Sequence, residues 1–121
     1  RARTHQLAML TWGSDYFDPN SNAQAFCADP DDSDTSKLKI LAWRCHFADK
    51  QLTQEAADAA KELDGKKRVA MYQEMQRQFW QRAPFAMLLQ KNEVAVLRKN
   101  VTGLKLGPMP DYTKYAAIEK A

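Results

Sequence analysis

Long apolar runs are missing from this sequence, and the longest, such as Phe85-Ala86-Met87-Leu88-Leu89, falls far short of the roughly 20 residues that a helix needs to cross a bilayer. A membrane-spanning segment is therefore not expected. An excess of one charge is missing too. The 18 basic and 15 acidic residues leave a net charge of +3, spread along the whole length, without the concentrated basic stripe that nucleic-acid binding requires. Cysteine and histidine number two each and lack metal-site spacing, which argues against zinc. Cys45 and His46 are adjacent in sequence, so their side chains point apart on a strand or lie about 100° apart on a helix, a poor start for a nucleophile and its base. Asp64-Gly65-Lys66-Lys67 lacks the upstream glycine and the hydroxyl residue of a phosphate-binding loop, and a helix start is the sounder reading. The sequence shows no internal repeat and no low-complexity tract.

What is present suits a folded domain. The chain has 121 residues, of which 45% are hydrophobic and 27% charged, enough to bury a modest core. It opens Arg1-Ala2-Arg3-Thr4, without an initiator Met or an apolar leader, and reads as a piece of a longer precursor, so the missing signal peptide says nothing about compartment. The stretch Asp29-Pro30-Asp31-Asp32-Ser33-Asp34 invites calcium. However, Asp34 stands where an EF-hand loop needs glycine and Ile40 where it needs a bidentate Glu. A solvated polar loop is the better reading, and no metal, cofactor or catalytic residue is expected.

Along the chain, residues 5–12 have the length and apolar middle of a buried strand that ends at Gly13-Ser14-Asp15. Residues 14–34 form a long polar loop, of the kind that often carries function, with a helical turn or two over 23–27. Leu52, Ala56, Ala59, Ala60 and Leu63 lie at helical spacing. After the break at Asp64-Gly65, a second helix has an inner face of Val69, Tyr72, Met75 and Phe79 and ends at Pro84. Met71, Met75 and Phe79 read as core, with Trp80 partly exposed. Short β-compatible runs follow at 85–89, 93–97, 101–106 and 112–118. Strand, loop, helical hairpin and short strands together predict an α/β or α+β arrangement.

Trp12-Gly13-Ser14-Asp15-Tyr16 is the segment best suited to a ligand. An aromatic wall, a glycine that opens the backbone and one carboxylate stand together at a strand end. The residues alone equally allow a plain loop in which Trp12 is core and Asp15 caps the short helix or is solvated. Cys27 and Cys45 flank the Asp- and Ser-rich segment. They suit either a loop-clamping disulfide or two reduced, buried thiols.

The segment Trp12-Gly13-Ser14-Asp15-Tyr16-Phe17-Asp18-Pro19 resembles the Trp-x-x-Asp-Tyr-x-Asp-Pro turn of the peptide and nickel class (family 5) of extracellular solute-binding proteins of ABC importers, in their C-terminal portion. The similarity continues through Asp64, Lys67, Arg68, Tyr72, Glu74 and Gln76, then Ala83-Pro84 and Val101-Thr102-Gly103-Leu104. It spans nearly the whole chain, with Phe17 in place of the small or turn-forming residue common after the tyrosine. The resemblance implies a fragment of a two-lobed periplasmic binding protein, with a helical hairpin packed on short strands. Residues 1–91 would belong to the second lobe, and residues 92–121 would cross near Asn92 to strands of the first.

The resemblance also implies a bacterial protein, periplasmic or extracellular, that captures peptides or related small molecules between the lobes and delivers them to a permease without covalent chemistry. In this class Asp15 would pair with a peptide's α-ammonium group. Trp12 would form the floor, and Gly13 and Ser14 would offer backbone groups. Relatives also carry opines, sugars, haem or nickel complexes. A Cys27–Cys45 disulfide follows from the same resemblance, as does self-association of the isolated fragment, as a homodimer, through tail strands that lack their sheet partners. Two other functions fit the residues: an independent helical interaction domain that docks through the second helix, and a thiol-dependent enzyme built on Cys45.

Overall fold

Aspartates start the three longer helices of the chain. The computed structural model describes residues 3–109 and 112–121; Arg1 and Ala2, on which the reading of the chain's opening rests, lie outside them, as do Pro110 and Asp111 in the tail. Helix α1 runs Pro19–Cys27, α2 Leu41–Arg44, α3 Lys50–Lys61 and α4 Gly65–Arg82, followed by strands β1 (Val101–Thr102) and β2 (Glu119–Lys120). The Asp18 carboxylate accepts from the Asn20 N–H at 2.8 Å, Asp49 from Leu52 at 3.0 Å, and Asp64 from Lys66 and Lys67 at 2.8 and 3.0 Å. Each satisfies amide groups that the first helical turn leaves without partners, and places negative charge at the positive end of the helix dipole. Pro19 occupies the first turn of α1, where a missing N–H costs nothing. Pro84 forces Ala83 into extended backbone and stops α4 at Arg82.

The expected hairpin of α3 and α4 forms, and α1 packs against both. Their shared core holds Ala23, Cys27, Leu52, Ala56, Ala59, Tyr72 and Met75. The alanines of α3 let backbones approach closely, so Leu52 and Met75 are sealed from water. Rings close one end of the core. Phe26 stands edge-on to Trp12, Phe79 and Phe85, with centroids 5.7, 5.9 and 5.4 Å away, and Phe79 stacks on Phe85. Thr53 of α3 joins in by accepting from the Asp29 N–H and donating to the Cys27 carbonyl at the end of α1.

One side chain ties these three helices together. Arg68 of α4 forms a two-pronged pair with Asp18, Nη1 to Oδ2 at 2.9 Å and Nη2 to Oδ1 at 2.7 Å. Its Nε donates to the Ala59 carbonyl of α3, and Nη2 also donates to the Tyr72 hydroxyl. That hydroxyl donates in turn to Asn20 Oδ1. The fork geometry lets one guanidinium serve a helix cap, a carbonyl of a neighbouring helix and an aromatic hydroxyl together.

Several expected elements differ. Residues 5–12 are neither paired nor buried: Leu7 is 91% and Met9 85% exposed. Residues 85–89 and 93–97 also form no strand. A strand requires a hydrogen-bonding neighbour, and none of these segments is offered one. Among the described residues of the tail, pairing is confined to β1 and β2, with Val101 opposite Lys120 and Thr102 opposite Glu119, plus one antiparallel bridge between Lys105 and Lys114. Gly103, at φ 82°, allows the close approach, since a Cβ there would overlap the Ala117 carbonyl. Ala60, Leu63 and Val69, expected on inner helix faces, are exposed; Leu63 lies beyond the end of α3. The chain is thus mostly helical with a very small sheet.

The chain divides into two compact units between Phe85 and Ala86, and Phe85 packs with the ring cluster of the first unit.

The expected Cys27–Cys45 bridge is not formed, and both residues are free thiols. Cys27 faces the shared core from α1, whereas Cys45 caps the short α2 and has no part in that cluster. Burial, with the Asp49 and Glu55 carboxylates adding to it, pushes the Cys27 thiol up to about 12. Burial raises Cys45 as well, so neither is poised as a thiolate.

Two tests follow from this architecture. Asp18→Ala should lower the melting temperature, since losing an N-cap costs roughly 0.5–2 kcal/mol and each 1 kcal/mol moves a 60–100-residue domain by about 4–8 °C. The hydrogen bonds from Arg68, then that from Asn20, hold the Asp18 carboxyl below its usual range. A carboxylate depressed in the fold stabilises it above the unfolded value of about 3.9, and that contribution fades as pH falls through the folded value. The melting difference between the parent chain and Asp18→Asn should therefore be full above about pH 5 and shrink below about pH 4. A difference flat in pH would exclude the pair as its source. For the thiols, alkylation without reductant should label Cys45 slowly in native protein and add Cys27 only on unfolding. Recovery of no alkylatable thiol would establish the bridge instead.

Candidate functional site

Trp12, Gly13, Ser14 and Asp15 approach α1 from its N-terminal side, and α1 fixes them. Asn22 Oδ1 accepts from Trp12 Nε1 at 2.9 Å and from Ser14 Oγ at 2.8 Å. Ser21 Oγ, on a buried residue, accepts from the Asp15 N–H at 3.1 Å. Trp12 also rests edge-on against Phe26. One helix face therefore holds both ends of the segment, and the helix itself is held by Asp18 and Arg68.

The chemistry left over is specific. Trp12 is 38% exposed, so one part of the indole is packed and the rest faces water. Gly13 has open space where a side chain would stand. Asp15 is exposed, and among the described residues its carboxylate makes no ion pair or hydrogen bond. Asp18, three positions on, is the residue that caps α1, and so the capping role open to Asp15 from sequence belongs elsewhere. An aromatic plane, accessible backbone and an unspent negative charge are together the equipment for binding a small cation with an apolar part.

The four expected ligand residues are consecutive in the chain, and what the fold adds is their attachment to α1. Asn22 and Ser21, which set their orientation, were not anticipated. Their signal is faint: polar residues on the face of a short helix directly after an Asp-Pro helix start. His46, by contrast, is turned from Cys45 toward Asp32, with Nδ1 2.9 Å from Asp32 Oδ2, so no Cys–His pair is assembled. Among the described residues, no group of three or more His, Cys, Asp or Glu side chains is placed to hold a metal, and no helix is long and apolar enough to cross a membrane. Comparison with protein-family models, with curated proteins and with solved structures gives no match for this chain.

Proposed function

We propose that this chain is the ligand-loop portion of a two-lobed solute-binding protein that captures peptides or related small molecules for an ABC importer, outside the bacterial cytoplasm. The observation that carries this reading is Asp15, an unpaired carboxylate on a loop pinned at both ends, three positions after a partly exposed Trp12. Closure of a second lobe over this loop would remove water and strengthen the attraction between the Asp15 carboxylate and a ligand ammonium. The mechanism is capture, closure and delivery to a permease, and it requires no covalent step. The resemblance of Trp12 to Pro19 and of Asp64 to Gln76 to the peptide and nickel class supports the same reading.

The exposed apolar side chains of the tail, Val94 and Val96 among them, support self-association of the isolated chain as a homodimer through residues beyond Asn92. Light scattering should give a dimer for the intact chain and a monomer when residues 93–121 are removed. A monomeric intact chain would end that part of the proposal.

A second reading, an independent helical interaction domain, draws on Trp80. It is 83% exposed on α4 amid Gln73, Gln76, Arg77 and Gln81. Aromatic residues are enriched where proteins dock.

Asp15→Asn in the full-length protein decides for the transport reading. The amide keeps the shape but loses the charge. A hydrogen bond to a charged group is worth about 1.5–3 kcal/mol, so dipeptide affinity by titration calorimetry should fall by about 10- to 100-fold. Unchanged affinity for peptides would remove Asp15 from the site.

A further inference from the structure

The acidic loop after α1 surrounds the side chain of Arg3. The guanidinium of Arg3, only 6% exposed, lies over the Trp43 ring with its carbon 4.0 Å from the ring centroid. Nη1 donates to Asp32 Oδ1 and to the Trp43 carbonyl at 3.1 Å. Nη2 donates to the Asp32 carbonyl at 2.9 Å and to Asp34 Oδ1 at 2.6 Å. An aromatic face, two carboxylates and two main-chain carbonyls converging on one planar cation form a complete recognition set for a guanidinium.

Part of this pocket is held without Arg3, whereas the Asp34 carboxylate is bound by Arg3 and His46 Nδ1 also lies 3.1 Å from Arg3 Nη1. Trp43 is sealed into α2, and its Nε1 donates to the Ser33 carbonyl at 2.9 Å. Asp31 accepts from the Ser33 N–H, Lys39 Nζ donates to the Asp34 carbonyl, and His46 faces the second oxygen of Asp32. The Arg3 side chain is firmly held, but the backbone that carries it is not. Residues 4–10, which follow Arg3, are exposed throughout, and Arg3 itself sits at φ 51°, a region that non-glycine residues adopt at a cost.

Arg3 also leaves the pocket unfinished. Asp29 is 5% exposed and neither buried carboxylate oxygen has a well-formed hydrogen bond; burial and the neighbouring Asp32 oppose its ionised form, while the Asp31 N–H and the Arg3 charge favour it. The Nε of Arg3 is buried and unpartnered as well. A buried, unsatisfied carboxylate is costly, and Arg3 leaves this negative charge without a direct partner.

We propose that Asp29, Asp32, Asp34 and Trp43 form a binding site for guanidinium-bearing small cations, which Arg3 occupies in cis and a free ligand enters when Arg3 withdraws. The site is separate from the Trp12–Asp15 loop, and the proposal does not depend on what that loop binds. A ligand with a guanidinium and an ammonium a few carbons apart satisfies Asp32, Asp34 and Trp43 with the first and Asp29 with the second. Arg3 acts as a tethered competitor, so occupation by a free ligand releases residues 3–10.

Agmatine, which carries both groups, is the probe. Titrated into Arg3→Ala, it should bind and shift the Trp43 indole resonance. It should bind the parent chain at least tenfold more weakly, because Arg3 competes. Asp32→Asn added to Arg3→Ala should weaken agmatine at least tenfold, and 1,5-diaminopentane, with no guanidinium, should bind Arg3→Ala at least tenfold more weakly than agmatine does. If Arg3→Ala is unfolded alone, agmatine should restore its fold in a dose-dependent way. A folded Arg3→Ala that ignores agmatine, an unfolded one that agmatine fails to rescue, or equal binding of the diamine would each overturn the proposal.

Discussion

The pairing of Asp18 with Arg68 is the constraint on which the first unit turns. A helix of the length of α1 is marginal by itself in water, and its start has to be fixed for Asn22 and Ser21 to face the Trp12–Asp15 segment. Asp18 both caps that helix and receives the two prongs of Arg68, so the start of α1 is tied to α4. Because Arg68 also holds the Ala59 carbonyl, α3 is located by the same guanidinium. The apolar core makes the helices adhere. It is non-directional, so Leu52 and Met75 do not set the position of α1 along its axis; the charged fork does.

The same dependence explains what could be read in the sequence. Helices α3 and α4 were legible because their signals are local: an Asp to begin, apolar residues at helical spacing, and Pro84 to stop. Strands were not. Residues 5–12 and 93–97 have the composition of strands, yet a strand is completed by another segment, and composition cannot supply one. Ala60, Leu63 and Val69 fit the helical period but lie where the partner helix gives no cover. Of the candidate loop, Trp12 to Asp15 could be singled out by residue type but their supports could not, since a hydrogen bond across ten positions, Trp12 to Asn22, leaves no period in the chain.

The acidic loop shows how one composition can conceal two chemistries. A run of aspartates suggests a hard cation. The spacing of Asp29, Asp31, Asp32 and Asp34 lacks what such an ion requires, and a solvated loop was the simple alternative. Yet Asp32 and Asp34 converge on a planar cation from the chain itself, with Trp43 beneath it. The sequence could not reveal this, because Trp43 lies nine positions beyond Asp34 and Arg3 lies far before it. Convergence on a guanidinium requires a fork-shaped set of acceptors with an aromatic face, which only the folded loop assembles.

The residues that carry the family resemblance divide by what the fold asks of them. Asp18 and Pro19 start α1, Asp64 starts α4, and Arg68 and Tyr72 bind α1 through Asp18 and Asn20. Their presence in order is explained by stability alone, and a protein with another function could keep them for that reason. Trp12 and Asp15 are different. The indole spends its N–H on Asn22 and leaves much of its surface in water, and the Asp15 backbone is fixed by Ser21 while its carboxylate is left unspent. Folding has positioned these two groups without using their chemistry. A side chain held in place but not satisfied is available to something outside the chain, and this loop offers a single negative charge and a partly exposed indole.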